Sequence, residues 1–161
     1  MRENAIEQLE RAAQAYPFLS DLSPEHLSRL LATAEERFFE PDEVLFGEGA
    51  RSEFLYLIAK GRIALETVSA GAPIIIQTLT EGDAMGWSAL TKSGKTHFQA
   101  RAISSVQTIA FDGAKLSLAF DYDNSFGYQM MKRLLEMVTD RLDRTRLQMI
   151  ELYANSKGTN I

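Results

Sequence analysis

The chain has 161 residues, 45% hydrophobic and 24% charged, a globular balance sufficient for one domain with its own core. Cysteine is absent, which excludes disulfide frameworks, Cys-ligated zinc, iron–sulfur clusters and thiol nucleophiles. A formal net charge of −5, from 22 acidic and 17 basic residues, argues against a nucleic-acid surface, because phosphate contact needs a basic field.

The opening residues, Met1-Arg2-Glu3-Asn4, precede a charged amphipathic stretch with neither the apolar core of a signal peptide nor a run that spans a bilayer. A cytoplasmic chain with no membrane association is expected. From Glu3 to Tyr16, the positions Ile6, Leu9, Ala12, Ala13 and Tyr16 recur at helical spacing, predicting an amphipathic helix that ends near Pro17. Ser23 as cap and Pro24 at the first helical position open a second helix, with His26, Leu27, Leu30, Leu31 and Ala34 in period.

Between Phe38 and Asp112 the pattern changes to short strand-like runs: Glu43 to Phe46, Glu53 to Ala59, Arg62 to Val68, Pro73 to Thr80, Gln99 to Ser104 and Ser105 to Asp112. Turn residues separate them, including Gly47 and Gly49, Lys60-Gly61, Ala70-Gly71, Glu81-Gly82-Asp83 and Ser93-Gly94-Lys95. Many short strands with glycine-marked corners describe a small barrel, sandwich or jelly roll. The predicted fold is mainly β with flanking helices.

Asp112 is placed to cap a short helix through Phe120, and Asp121, Asp123 and Asn124 precede a longer one. These carboxylates suit helix capping; the glycine and terminal Glu of a calcium loop are missing. In the final helix Tyr128, Met131, Leu135, Val138, Leu142, Thr145, Met149 and Leu152 alternate at spacings of three and four, a sustained heptad seam. A second row, Phe126, Met130, Leu134 and Met137, runs beside its first half. The expectation is that the second row lies on the roll while the seam pairs with the same helix of another copy in a parallel homodimer. One helix wrapped entirely on its own roll is the alternative. The chain thus divides into N-terminal helices over 1–36, a β-roll over 37–112, a short helix and long dimerisation helix over 113–156, and a tail over 157–161.

Catalytic signatures are missing: there is no Ser/His/Asp arrangement, no complete phosphate loop around Ser93-Gly94-Lys95-Thr96, and no His pair at metal spacing. A protein that is not an enzyme, with no metal site, is expected.

Three segments carry a resemblance. Leu45-Phe46-Gly47-Glu48-Gly49-Ala50, Phe54-Leu55-Tyr56-Leu57-Ile58-Ala59-Lys60-Gly61 and Leu79-Thr80-Glu81-Gly82-Asp83-Ala84-Met85-Gly86 together resemble the cyclic nucleotide-binding domain of the catabolite activator (Crp/Fnr) superfamily, over roughly residues 18 to 153. The resemblance implies a double-stranded β-helix, or jelly roll, whose pocket binds a small ligand beneath a long C-terminal dimerisation helix. In members that bind cyclic nucleotides, the residue after the second glycine of the phosphate-binding cassette is Glu, and an Arg followed by Ser or Thr neutralises the phosphate. Here Gly86 is followed by Trp87, and Thr96 and His97 stand where the Arg and the hydroxyl residue would be. Both charged anchors are replaced, so ordinary cyclic AMP binding is not expected.

Candidate pocket residues are Gly86, Trp87, Ser88, Ala89 and Leu90, then Thr96, His97 and Phe98, with Arg101 as a relocated anion contact. Trp87 and Phe98 offer a flat apolar wall to a planar ligand, although core filling is the commoner role of such residues. By resemblance Thr145 takes the base-facing position of the dimerisation helix, and Arg146 the position that reaches the partner's ligand. The family's transcription factors continue into a helix-turn-helix; only Ala154 to Ile161 follow here, so no direct DNA binding is expected. Two functions remain open: a sensor for a cyclic nucleotide or other small anionic ligand that signals to a separate effector protein, with Leu147 and Ile150 as candidate contacts, or a degenerate dimerisation and docking scaffold. A sensor keeps an open pocket; a scaffold lets Trp87, Phe98 or His97 fill it.

Overall fold

The computed structural model describes residues 5–158. Helix α1 (Ala5–Ala12) continues into a 3-10 turn at Ala13–Ala15, and α2 spans Pro24–Leu31 with the Ser23 hydroxyl accepting the His26 N–H at 3.1 Å. Glu3 and Asn4 of the expected first helix, and residues 159–161 of the expected tail, lie outside the described residues. Eight strands follow: β1 (Ala34–Phe39), β2 (Val44–Phe46), β3 (Phe54–Lys60), β4 (Ile63–Ser69), β5 (Ala72–Leu79), β6 (Ala84–Met85), β7 (Gln99–Ala102) and β8 (Val106–Asp112). Helices α3 (Gly113–Tyr122) and α4 (Asn124–Lys157) close the chain, capped by Asp112 and Asp123 through the N–H groups of Lys115 and Phe126.

The strands form two antiparallel four-stranded sheets, in the orders β1-β8-β3-β6 and β2-β7-β4-β5, the two walls of a jelly roll. Strands β3 and β8 are buried on both faces, which is why they read as nearly continuous apolar runs. Tyr56, Ile58, Val106 and Ala110 face the roll interior with Ile63, Leu65, Leu79 and Met85. Leu55, Leu57, Ile109 and Phe111 face the other way, against Leu9, Leu30, Leu116, Phe126 and Met130 of the helices and Leu19 of the turn before α2.

Two elements differ from expectation. The second helix ends at Leu31, and Ala34 begins a strand, so the roll starts before residue 37. The Thr33 hydroxyl donates to the Leu30 carbonyl at 2.8 Å, and Ala34 to Phe39 pair with Phe111 to Val106. The partner strand is some seventy residues away, so local periodicity carried no sign of it. Strand β6 and the 3-10 turn Trp87–Leu90 were likewise unsignalled, being too short to show a period.

The second row of α4 lies on the roll as expected: Phe126, Met130 and Leu134 are buried and Met137 packs beside them. The seam faces outward, with Tyr128, Met131, Leu135, Leu142, Met149 and Leu152 exposed and Val138 and Thr145 half-buried. Truncating the buried row therefore has a defined effect. Phe126→Ala removes a fully buried ring that contacts His26 and Phe120, at centroid distances of 5.5 and 5.3 Å. Urea denaturation is expected to show a loss of about 3–5 kcal/mol.

Candidate functional site

The site forms where β6 runs into the 3-10 turn. Gly86 adopts φ +83°, and a Cβ there would stand 2.5 Å from the Phe54 carbonyl oxygen, so only glycine lets the chain turn this close to β3. The turn Trp87–Leu90 then docks on the start of α3. Gly113 admits it: a Cβ at that position would meet the Ala89 Cβ and carbonyl at 2.8 Å. The far end of the loop is stitched to the β2–β3 connection, where Thr96 exchanges backbone bonds with Gly49 and Ala50 at 2.9 Å.

A small cavity lies inside this loop, lined by Gly86, Trp87, Ser88, Thr96, His97 and Phe98 together with Phe46, Leu65, Met85 and Arg141. Its volume is about 30 Å³. That is room for a water or two, far below the roughly 300–1,000 Å³ of a drug-sized ligand site. Trp87 also packs on the helix-side core and Phe98 on the roll interior, so both candidate walls serve as filling too.

Five candidate residues do not line this cavity. Ala89 is taken up by the contact with Gly113, and Leu90 packs into the core between roll and helices. Arg101 is held elsewhere: its Nε lies 3.3 Å from the buried Glu66 carboxylate and its Nη1 donates to the Asp42 carbonyl at 3.1 Å. Thr145 donates its hydroxyl to the Arg141 carbonyl at 2.9 Å and faces an open cleft of about 400 Å³ against Ile74, Ile75 and Ile76 of β5. Arg146 is exposed and lines neither space. Leu147 and Ile150 are also exposed; Met149 and Leu152 of the seam line the outer cleft instead. Thr96 is in the cavity wall, yet its hydroxyl donates to the Gly47 carbonyl and lies 3.3 Å from that of Ala50, so it is engaged structurally.

The residue missed by sequence reading is Arg141. It is only 8% exposed, on the inward side of α4 just beyond the apolar row. Its Nη2 donates to the Ala84 carbonyl at 2.7 Å, and its guanidinium carbon stands 5.1 Å from the Trp87 ring centre, in cation–π range. Its Nη1 is buried with no hydrogen-bond partner among the described residues. Burial lowers the guanidinium pKa to about 10, with Asp83 pulling upward and Arg144 downward. At neutral pH it remains a cation, held by one carbonyl and one ring. A signal existed in the sequence: Arg141 continues the row 126, 130, 134, 137 at the next helical step.

No group of three His, Cys, Asp or Glu among the described residues is arranged to hold a metal ion, and no helix there is long and apolar enough to cross a membrane.

The cyclic nucleotide-binding domain family model matches residues 36–122, more than half of the chain, ending before α4. A putative cyclic nucleotide-binding protein from Geobacter metallireducens GS-15 superposes with a TM-score of 0.74 at 24% identity, covering 87% of this chain and 99% of that one. A cyclic nucleotide-binding domain from Methylobacillus flagellatus gives 0.78 at 16% identity over 91% and 83%. The catabolite activator protein of Thermus thermophilus gives 0.69 at 21% identity over 85% and 63%. At these identities the likeness is one of fold.

Holding Arg141 charged while buried is costly, so its removal should not harm the fold. Burial that pulls the guanidinium pKa down to about 10 corresponds to roughly 3 kcal/mol against the charged form. Arg141→Met, which keeps the length and loses the charge, is expected to leave stability unchanged or raise it by about 1–2 kcal/mol in thermal melts near neutral pH. Because the folded-state pKa lies below the unfolded one, the penalty is full below pH 10 and fades as pH rises through it. The gap between variant and parent should therefore narrow at strongly alkaline pH.

Proposed function

The chain belongs to the cyclic nucleotide-binding domain family, and from that premise we propose that it is a regulatory sensor whose cassette cavity takes a small anionic ligand and reports it through α4. One observation carries this reading: Arg141, a residue of the long helix, forms part of the cavity wall and keeps one guanidinium N–H buried without an acceptor among the described residues. An anion bound there would complete a charge-assisted hydrogen bond that the protein leaves unmade, and the group it engages is fixed to the helix that moves. The family's cassette anchors are replaced by Trp87, Thr96 and His97, so the charge would be met from the helix instead of from the roll. Trp87 and Phe98 suit a ligand with a flat part.

The output surface in this reading is the exposed seam of Tyr128, Met131, Leu135, Leu142, Met149 and Leu152, which would pair with a second copy and pass the change to a separate effector protein. Its role would be regulatory, with no reaction catalysed. A second reading is favoured by the cavity's volume of about 30 Å³: a domain that has filled its pocket and persists as a dimerisation and docking scaffold. For a sensor, that volume requires Trp87 or Arg141 to move when ligand enters.

Fluorescence of Trp87, the single tryptophan, and thermal melts should be followed against cyclic AMP, cyclic GMP, cyclic dinucleotides and common nucleotides, with mass from light scattering. The sensor reading expects a concentration-dependent rise in melting temperature that Arg141→Met abolishes. No shift with any of them and a dimeric mass would favour the scaffold; a monomeric mass would overturn the paired seam.

A further inference from the structure

We propose that the cleft between β5 and the C-terminal half of α4 is a docking surface for a second copy of this chain, and that it takes the partner's Tyr153 and the partner's Ile150. The inference rests on the parallel seam proposed above and adds a separate contact that seam pairing by itself does not require.

The cleft has a volume of about 400 Å³, with Ile74, Ile75 and Ile76 on one wall and Gln148, Met149 and Leu152 on the other. Strand β5 is the outer strand of its sheet, in the order β2-β7-β4-β5, so one of its edges is left without a strand beside it. Ile74 and Ile75 are each more than half exposed, and so are Ile150 and Tyr153 on α4. None of the four belongs to the heptad seam. Large apolar side chains gathered on a strand edge and on a helix flank mark a surface made for contact.

The helical register identifies what covers them. On the roll side of the seam, Leu134, Arg141, Gln148 and Asn155 follow one another at steps of seven, and the last two line the cleft. On the opposite flank, Lys132, Thr139, Arg146 and Tyr153 form the matching line, with Ile150 beside it. In a parallel two-stranded pair, each flank of one helix lies against the opposite flank of the other, and a residue meets the one five positions further on. Gln148 then meets the partner's Tyr153 at the mouth of the cleft, and the partner's Ile150 passes over Ile74 and Ile75. An antiparallel pair would set the two roll-side flanks together and leave Ile150 and Tyr153 uncovered. Two-fold symmetry repeats the contact, so each copy offers the cleft and fills the other's.

Charge and size agree with this occupant. Among the described residues, the one charged group in the cleft wall is the Glu151 carboxylate. The stripe that would enter, Arg146, Ile150, Tyr153 and Lys157, carries a cation at each end. Lys157 Nζ already stands 4.7 Å from the Tyr153 ring centre, so ring and cation would arrive together. A stable interface engages roughly 20–30 residues a side, whereas the seam has eight positions per copy. The contact on β5 widens the interface from helix to roll. It also ties the partner's α4 to the sheet that contributes Phe46 and Leu65 to the cassette cavity.

The chain has no cysteine, so introduced thiols report contacts without background. Full-length chains carrying tagged Ile75→Cys and untagged Tyr153→Cys are co-expressed, purified through the tag and treated with a short bismaleimide. Leu142→Cys, in the seam, is treated in the same way. A covalent link between the tagged and untagged chains, together with self-linking of Leu142→Cys, is the expected result. Ile75→Glu should raise the dimer dissociation constant about tenfold in sedimentation, and Tyr153→Lys added to it should recover most of the loss. Self-linking of Leu142→Cys without a link between positions 75 and 153 overturns the cleft contact and leaves the seam standing. An unchanged dissociation constant in Ile75→Glu overturns it too. Failure of Leu142→Cys to link, whether the mass is monomeric or dimeric, overturns the parallel seam and this contact with it.

Discussion

Strands β3 and β8 must bury both of their faces at once, and the remaining architecture follows from how that requirement is met. One face of the pair is covered by the opposing sheet, with Ile63, Leu65 and Leu79 closing over Tyr56, Ile58 and Ala110. The other can be covered only by helices, and α1, α2, α3 and the first half of α4 supply Leu9, Leu30, Leu116, Phe126 and Met130. Removing apolar area from water contributes roughly 25 cal/mol per Å², so a two-faced strand pair anchors more of the chain than any single-faced element. It also fixes α4 by its N-terminal turns alone, while residues 151–158 remain exposed along the helix.

That anchoring gives Arg141 its position. Beyond Met137 the inward row of α4 leaves the strand pair and arrives at β6 and the cassette turn, where the backbone offers a carbonyl at Ala84 and a ring at Trp87. Leu or Met at this position would close the core more cheaply, since burying a guanidinium without a carboxylate costs several kcal/mol before any hydrogen bond is counted. A residue type that is expensive in the folded chain and leaves a donor unmade is what supports the sensor reading proposed above. In the proposed sensor, its standing on a helix instead of in the roll would join the chemistry of the pocket to the orientation of the element that carries the exposed seam.

Much of this was legible in the order of residues. The alternation in Phe54-Leu55-Tyr56-Leu57-Ile58, the glycines at 47, 49, 61, 82 and 86, the caps at Ser23, Asp112 and Asp123, and the two rows of the last helix announced the roll, its flanking helices and its family. Strand β1 was not legible, because Ala34-Glu35-Glu36-Arg37-Phe38-Phe39 becomes a strand only by pairing with β8, and no local period encodes a distant partner. In the site, Gly86, Trp87, Ser88, Thr96, His97 and Phe98 were legible because the loop is contiguous with the recognisable glycine segment. Arg101, Thr145 and Arg146 stand outside the cassette cavity for a common reason: a cation or hydroxyl near a loop or helix in sequence can point either way, and here Glu66, the Arg141 carbonyl and solvent took them.

The sequence by itself determined the fold class, the helix boundaries set by side-chain caps, and the contiguous run from Gly86 to Phe98 that forms the cavity loop, because each of these depends on neighbours within a few positions. Tertiary structure alone decided where Arg141 stands, against the Ala84 carbonyl and the Trp87 ring. Whether Arg141 meets water, a carboxylate or a cavity depends on where a helix crosses a loop more than fifty positions earlier, and that crossing is set by the packing of Phe126, Met130 and Leu134 on β3 and β8, not by any property of residue 141.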